Sequence, residues 1–351
     1  MFIFFADMHQ TPRAWAGRWA VEGDAYCSLD QLAAHVEGTG CSGVLSGGDF
    51  FDSNTPDAQS LHYAEEFARR LKAKGVPFYY INGQHDRGSG GYSVLETYGA
   101  HHIDRTAIDI DGCRVYGLSY RTGDELMEEL AAVPECDYLL LHGACRHLLG
   151  FEGRYIMDVA EDIPAHVKNV LVGDIHVHDV SKFGTLTVYS PGSAYAASRD
   201  EIGKDHGFFE FKAGGAAYVP FRTRRFVNAD LTKGDRDGVM AELAQLAQGA
   251  AREPLPPVVM LRADPGAEVD AARLPGIIIV REPAGAPAEA AADCQAAPGA
   301  GCSLRDGLAL AVDKAADAEL YEFTGQLLDR PACGEYLAAY IKEAGAATVE
   351  R

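Results

Sequence analysis

MFIFFADMH, residues 1–9, is an apolar run that stops at an aspartate. A short continuous apolar run with a polar break reads as a strand buried on both faces, the habit of sheets covered by helices. Asp7 and His9 lie two apart just past its end, so on an extended chain both side chains point to one side. The same pattern recurs over the first 215 or so residues. CSGVLSGGDFFD (41–52) is a buried strand entering a glycine-rich turn, and VPFYYINGQHD (76–86) is a third strand ending in a loop. CRVYGLSY (113–120), DYLLLHG (137–143) and VKNVLVGDIHVH (167–178) continue the series, and GTLTVYSPGS (184–193) and GFFEFK (207–212) read as closing strands. Ser28 to Glu37 and Ala58 to Lys74 carry apolar residues at helical spacing between them.

Strands alternating with amphipathic helices predict an α/β architecture. Asp7, Asp49, His85, His142 and His176 each sit just past the C-terminal end of a predicted strand. Ligands bind at that edge in open α/β sheets, so five strands delivering polar residues there imply one shared site. Mixed carboxylate, imidazole and amide-oxygen groups are what two divalent ions need to clamp a phosphoryl group and generate hydroxide at neutral pH. Any one piece, a DxH triplet or a GD turn, occurs often by chance. Five in order, Asp7-Met8-His9, Gly48-Asp49-Phe50-Phe51-Asp52, Gly83-Gln84-His85-Asp86, His142-Gly143 and Gly173-Asp174-Ile175-His176, form a specific constellation.

The 351 residues carry 31 basic and 51 acidic groups, a net charge of -20, with 47% hydrophobic and 23% charged residues. That composition excludes a disordered or fibrous chain. The overall field is not one that draws nucleic acid or an anionic membrane, so a polyanionic substrate would be held by metal ions or by a basic partner. The eight cysteines form no CxxC pair and read as reduced thiols. There is no basic segment before the first apolar run, and no stretch approaches the roughly 18 apolar residues of a membrane span. A cytoplasmic location away from the membrane is expected.

The chain changes character after Lys212. AYVPFRTRRFVNADL reads as a basic, β-like connector, Asp237 to Gln248 as a helix, and PVVMLRA and GIIIVRE as strands. These predict a small α+β domain over 218–282, beyond a first domain over 1–217. Residues 283–302 have the Ala/Pro/Gly composition of a linker, and 303–351 read as a helix pair with Leu320, Phe323, Leu327, Tyr340 and Ile341 as its apolar face. That face suits either the chain's own cap or a partner.

The motif order resembles the calcineurin-like metallophosphoesterase superfamily, whose pattern is DxH, GDxxD, GNH(D/E), H and GHxH. GGDFFDSNTP, INGQHD, VYGLSY, LLLHG, LVGDIH and YSPGSAYAASRDEIGKDHGFFEF are similar to its SbcD branch, related to eukaryotic Mre-eleven, over roughly 1–212. The small domain resembles that branch's capping domain in position and size only, and the tail more loosely resembles its ATPase-binding helices. The resemblance implies a four-layer α/β/β/α sandwich and a DNA phosphodiesterase acting as exonuclease, endonuclease or both. It implies two divalent ions, manganese with magnesium as alternative. One would be held by Asp7, His9, Asp49 and His176. Asp49 would bridge to the other, held also by Gln84, His142 and Asp174, with His85 as general acid. It further implies an SbcC-like SMC-type ATPase and a homodimer within a heterotetramer, serving DNA repair, recombination or replication. A phosphoesterase acting on a nucleotide or phosphoprotein is the alternative.

Two positions depart from the pattern. Gln84 replaces Asn, which keeps the amide oxygen on a longer stem. Asp174 replaces His, which keeps a ligand and adds charge. Arg199, Lys204, Arg222, Arg224 and Arg225 are candidate contacts to DNA phosphate, with solvated surface charge as the other reading. Asp52 is expected to cap the turn after it, His101-His102 to form an exposed turn, and His178 to lie outside the ligand set.

Overall fold

The computed structural model describes residues 1–12, 21–86, 94–149, 156–232, 234–264 and 269–281. The expected linker and helix pair lie outside these residues. Two six-stranded sheets and one three-stranded sheet are present among them.

The first sheet contains β1 (Phe2–Phe5), β2 (Val44–Ser46), β3 (Phe78–Tyr80) and β4 (His101–His102). These four are mutually parallel, and antiparallel β11 (Gly207–Lys212) and β12 (Gly215–Pro220) complete the sheet beside β1. The second sheet runs in the order β5 (Thr106–Ile110), β6 (Cys113–Leu118), β7 (Tyr138–His142), β8 (Asn169–Gly173), β10 (Leu186–Pro191) and β9 (His178–Phe183).

Alternation along β1 explains why the sheets stack. Phe2 and Phe4 point inward and pack with Leu45, Leu140, Leu171, Phe209 and Phe211 between the two sheets. Ile3 and Phe5 point outward, against Leu29 and Leu32 of α1 (Asp24–Thr39) and Phe67 and Leu71 of α2 (Ala58–Ala73). On the far side, Leu139, Leu141, Val170 and Val172 meet Leu126 and Leu130 of α3 (Gly123–Ala131), and α4 (Arg146–Leu149) and α5 (Val159–Asp162) lie near them in the chain. The result is the mixed α/β fold with two large sheets flanked by helices.

The third sheet is wholly parallel. It pairs β13 (Phe226–Asp230) with β14 (Val258–Arg262) and β14 with β15 (Ile278–Arg281). One face packs on α6 (Arg236–Gly249) through Val259, Leu261 and Leu243. The other, with Val258, Met260 and Val280, packs on Val21 and Ala196.

Several details correct the sequence reading. The boundary expected at 217/218 falls inside β12, so the connector begins as an edge strand of the first sheet. The small unit has three strands, not two. His101-His102 is the edge strand β4, not an exposed turn: the His102 ring lies 3.2 Å from Asn82 Nδ2 and 3.1 Å from Ser119 Oγ. Arg224 is buried. It forms a bidentate pair with Asp24 at 2.9 and 3.0 Å and donates to the carbonyls of Pro256 and Glu22. Its guanidinium joins the first unit to the small sheet and has none of the exposure a phosphate contact needs.

Candidate metal centre

The backbone that follows β1 and β2 builds the site before any side chain does. Asp7 N donates to Gly48 O at 3.1 Å, and His9 N to Asp49 O at 2.9 Å, so the two loops run side by side. Asp7, His9, Asp49 and Asp174 all have left-handed backbone, with φ of 49°, 41°, 48° and 100°. Each such non-glycine residue costs about 1–2 kcal/mol, and such strain concentrates at functional sites. Glycines give the close approach: a Cβ on Gly83 would lie 2.0 Å from Asp49 Oδ1, and one on Gly48 2.5 Å from His142 Nδ1. Asp86 ties the turns together, accepting from Phe51 N at 2.9 Å and Gly83 N at 3.0 Å.

The side chains converge from both sheets. Three overlapping groups bring ligand atoms within 4.8 Å of one another: Asp7, His9 and His176; His9, Asp49 and His85; and Asp7, Asp49 and His142. His9 Nε2 and His176 Nε2 face each other at 3.0 Å. Asp49 Oδ2 is buried without a hydrogen-bond partner, 3.9 Å from His9 Nε2 and 3.4 Å from His142 Nε2. A carboxylate oxygen unpartnered between two imidazoles fits a bridging ligand, because a buried acceptor left unmade is costly without a cation.

His142 Nδ1 lies 2.6 Å from Gly47 O, to which it donates, so Nε2 is the nitrogen that would face a metal once its own proton is displaced. Gln84 Oε1 stands 2.9 Å from this Nε2, and Gln84 Nε2 donates to Asp174 Oδ1 at 2.8 Å. Asp174 Oδ1 is itself 3.7 Å from His142 Nε2. Asp49, Gln84, His142 and Asp174 thus gather, although Asp174 belongs to none of the three close groups. His85 donates its backbone N–H to Asp49 Oδ1 at 2.8 Å, and its Nδ1 is 3.0 Å from Asp52 O. The same histidine stands within reach of a ligand position with His9 and Asp49.

The electrostatics are those of surplus buried negative charge. Burial pushes Asp7 up to about 6, against the pull of His176 and His142. Burial would lower His142, but Asp49, Asp174 and Asp7 outweigh it and raise the ring to about 10. Burial would raise Asp49, yet the neighbouring His142, His9 and His85 hold it well below the usual carboxylate range. Divalent cations are the natural counter-charge for such a set.

Near the site, Glu201 escaped the sequence reading, and Asp52 was expected only to cap a turn. Glu201 approaches the outer nitrogen of His176, and Asp52 Oδ1 lies 3.3 Å from His9 Nδ1, so it does more than cap a turn. His178 stacks on Tyr218 at 3.7 Å between centroids and belongs to none of the three close groups. Lys204, Arg222 and Arg225 are exposed and Arg199 is half-buried. Arg222 donates to Arg252 O, and Arg225 is 4.0 Å from Glu253.

No family model matches the chain. Several curated proteins named DNA double-strand break repair protein Mre11 do. That of Sulfurisphaera tokodaii is 24% identical over 231 residues, 60% of this chain and 58% of the relative. That of Sulfolobus acidocaldarius is 28% identical over 169 residues, 44% of each. This similarity to proteins named Mre11 agrees with the calcineurin-like metallophosphoesterase order of the motifs. The chain spans about half the length of the curated relatives it matches. Among solved structures, TT1561 of Thermus thermophilus superposes with a TM-score of 0.40 at 16% identity, covering 63% of this chain and 98% of that one. No helix among the described residues is long and apolar enough to cross a membrane, and their five cysteines are free.

Proposed function

We propose that the chain is the nuclease subunit of an SbcC-like, SMC-type ATPase complex and hydrolyses DNA phosphodiester bonds. The observation that carries this reading is the donor-less Asp49 Oδ2 between His9 and His142, which suits a carboxylate shared by two ions. Asp7, His9, Asp49 and His176 would hold one ion, and Asp49, Gln84, His142 and Asp174 the other. Manganese is favoured, with magnesium tolerated. Bound there, two divalent ions would polarise the phosphate and supply a hydroxide nucleophile at neutral pH.

The chain's own residues do the rest. His85, held through Nδ1 by Asp52 O, would present Nε2 to protonate the leaving oxygen. Gln84 and Asp174 brace each other, so the amide oxygen faces His142. The net charge of -20 fits a subunit whose basic partner supplies most of the grip on DNA. Arg199, Lys204, Arg222 and Arg225 would add local phosphate contacts. The working assembly would be a homodimer within a heterotetramer in the cytoplasm, engaged through residues 303–351.

A manganese-dependent assay on linear duplex DNA, single-stranded DNA, a p-nitrophenyl phosphodiester and a nucleoside monophosphate tests the reading. Cleavage of DNA and the diester supports it. Turnover of the monoester alone would sink it and leave the nucleotide or phosphoprotein phosphoesterase in its place.

A further inference from the structure

We propose that Glu201 is the positioning residue for His176, fixing the ring so that Nε2 and not Nδ1 is presented beside His9. This inference rests on the metal reading above and names a residue outside its ligand set.

The carboxylate of Glu201 is buried and held from several directions. Oε1 lies 2.8 Å from His176 Nδ1 and accepts from Ser198 Oγ at 3.1 Å. Oε2 accepts from Ala197 N at 3.0 Å and from Ser193 Oγ at 3.1 Å. A carboxylate with both oxygens so occupied cannot swing away, and as an acceptor it selects the His176 tautomer that carries its proton on Nδ1. The lone pair is then on Nε2, the atom that meets His9 Nε2 at 3.0 Å. A carboxylate behind a ligating histidine also raises the basicity of the ring.

The backing reaches beyond the carboxylate. Glu201 ends the single 3₁₀ turn Arg199–Glu201, and Ala196 and Ile202 on either side pack with Val258, Met260 and Val280 of the third sheet. The small unit therefore lies behind the turn that aims His176.

Manganese titration by calorimetry and ¹⁵N-histidine spectra of the metal-free protein, for the full chain and Glu201→Gln, test the proposal. Gln keeps the shape but lacks the charge. It is expected to weaken one manganese site roughly 10- to 100-fold, spare the other, and shift the His176 resonances away from the Nδ1-protonated pattern. A folded Glu201→Gln with both affinities and the His176 spectrum unchanged overturns the proposal. If that variant does not fold in EDTA, Ser198→Ala decides. It removes one support of Oε1 and should weaken the same site by less than about 10-fold, and an unaltered site counts against the assignment. An unsubstituted chain that binds no manganese would instead bring down the metal reading itself.

Discussion

The molecule contains two units built on parallel, helix-covered strands, yet among the described residues only one gathers candidate ligands at its strand ends. In the large unit, β1, β2, β7 and β8 deliver buried Asp7, Asp49 and His142 and half-buried Asp174 and His176 to one point. In the small unit, β13, β14 and β15 end at Asp230, Arg262 and Arg281. Asp230 accepts from the backbone and hydroxyl of Thr232 at 2.9 and 2.5 Å, and these three strand ends contribute to none of the close ligand groups found among the described residues. Four non-glycine ligand candidates in the large unit have left-handed backbone, whereas among the described residues of the small unit only Gly234 and Gly276 do. The edge of a parallel sheet thus offers only a location. Buried charge held on strained backbone is what marks a site.

The contrast breaks most severely at the glycines. Gly83→Ala drives a Cβ into Asp49 and is expected to lower hydrolysis to the metal-free rate and to remove bound manganese. Gly276→Ala, at positive φ but nearest to Ala250 Cβ at 3.1 Å, should cost about 1–2 kcal/mol of stability and spare activity. Calorimetric manganese titration of both variants decides the comparison, and an active Gly83→Ala would end it.

His85→Asn should lower turnover by about 10²- to 10⁴-fold with two manganese ions still bound. Loss of one equivalent would instead place His85 among the ligands with His9 and Asp49.

At the junction of the units the effect is on stability. Arg224→Ala strands Asp24 in the interior and should cost about 3–5 kcal/mol, measured by urea unfolding of the full chain, with turnover per folded molecule retained. A loss under about 1 kcal/mol, the range of an exposed ion pair, would mean that the two units are held together by apolar packing alone.

Asp174→His changes selectivity more than rate. Carboxylate favours manganese and magnesium, and imidazole favours zinc, copper, iron and nickel. The variant should lose magnesium support while keeping manganese. Identical activity profiles across manganese, magnesium, cobalt and zinc would remove Asp174 from the ligand set. The smallest effect is expected from Lys204→Ala or Arg222→Ala. Each should weaken DNA binding a few-fold and reduce the salt slope by about 0.9 for each phosphate it no longer neutralises, and an unchanged slope would return that residue to plain surface.

What could be read in the sequence was whatever repeats or is local. The apolar strands and the polar residue after each one are visible because burial on both faces imposes an unbroken run. Pairings between distant parts of the chain were not visible. Arg224 sits in a basic stretch that reads as solvated until Asp24, at the start of α1, closes over it. β4 is two residues long, and His102 is fixed by Asn82 and Ser119, just past the ends of β3 and β6. Glu201 lies 25 residues beyond His176, so only the fold brings them together. β5, β9 and α3 lack a continuous apolar run and leave no such signal. Asp52 was legible as a turn residue, but not as a neighbour of His9.

The strand order also bears on how the chain is made. β1 lies inside its sheet, between β2 and β11. At about 5–20 residues per second, the ribosome reaches β11 some 10–40 s after β1. Until then the Phe2–Phe5 edge has no partner on that side, and an open hydrophobic edge is a template for pairing between chains. A nascent or truncated chain ending before Gly207 would carry every candidate ligand and still be prone to aggregate, so metal loading in the cell would follow closure of the sheet and not precede it.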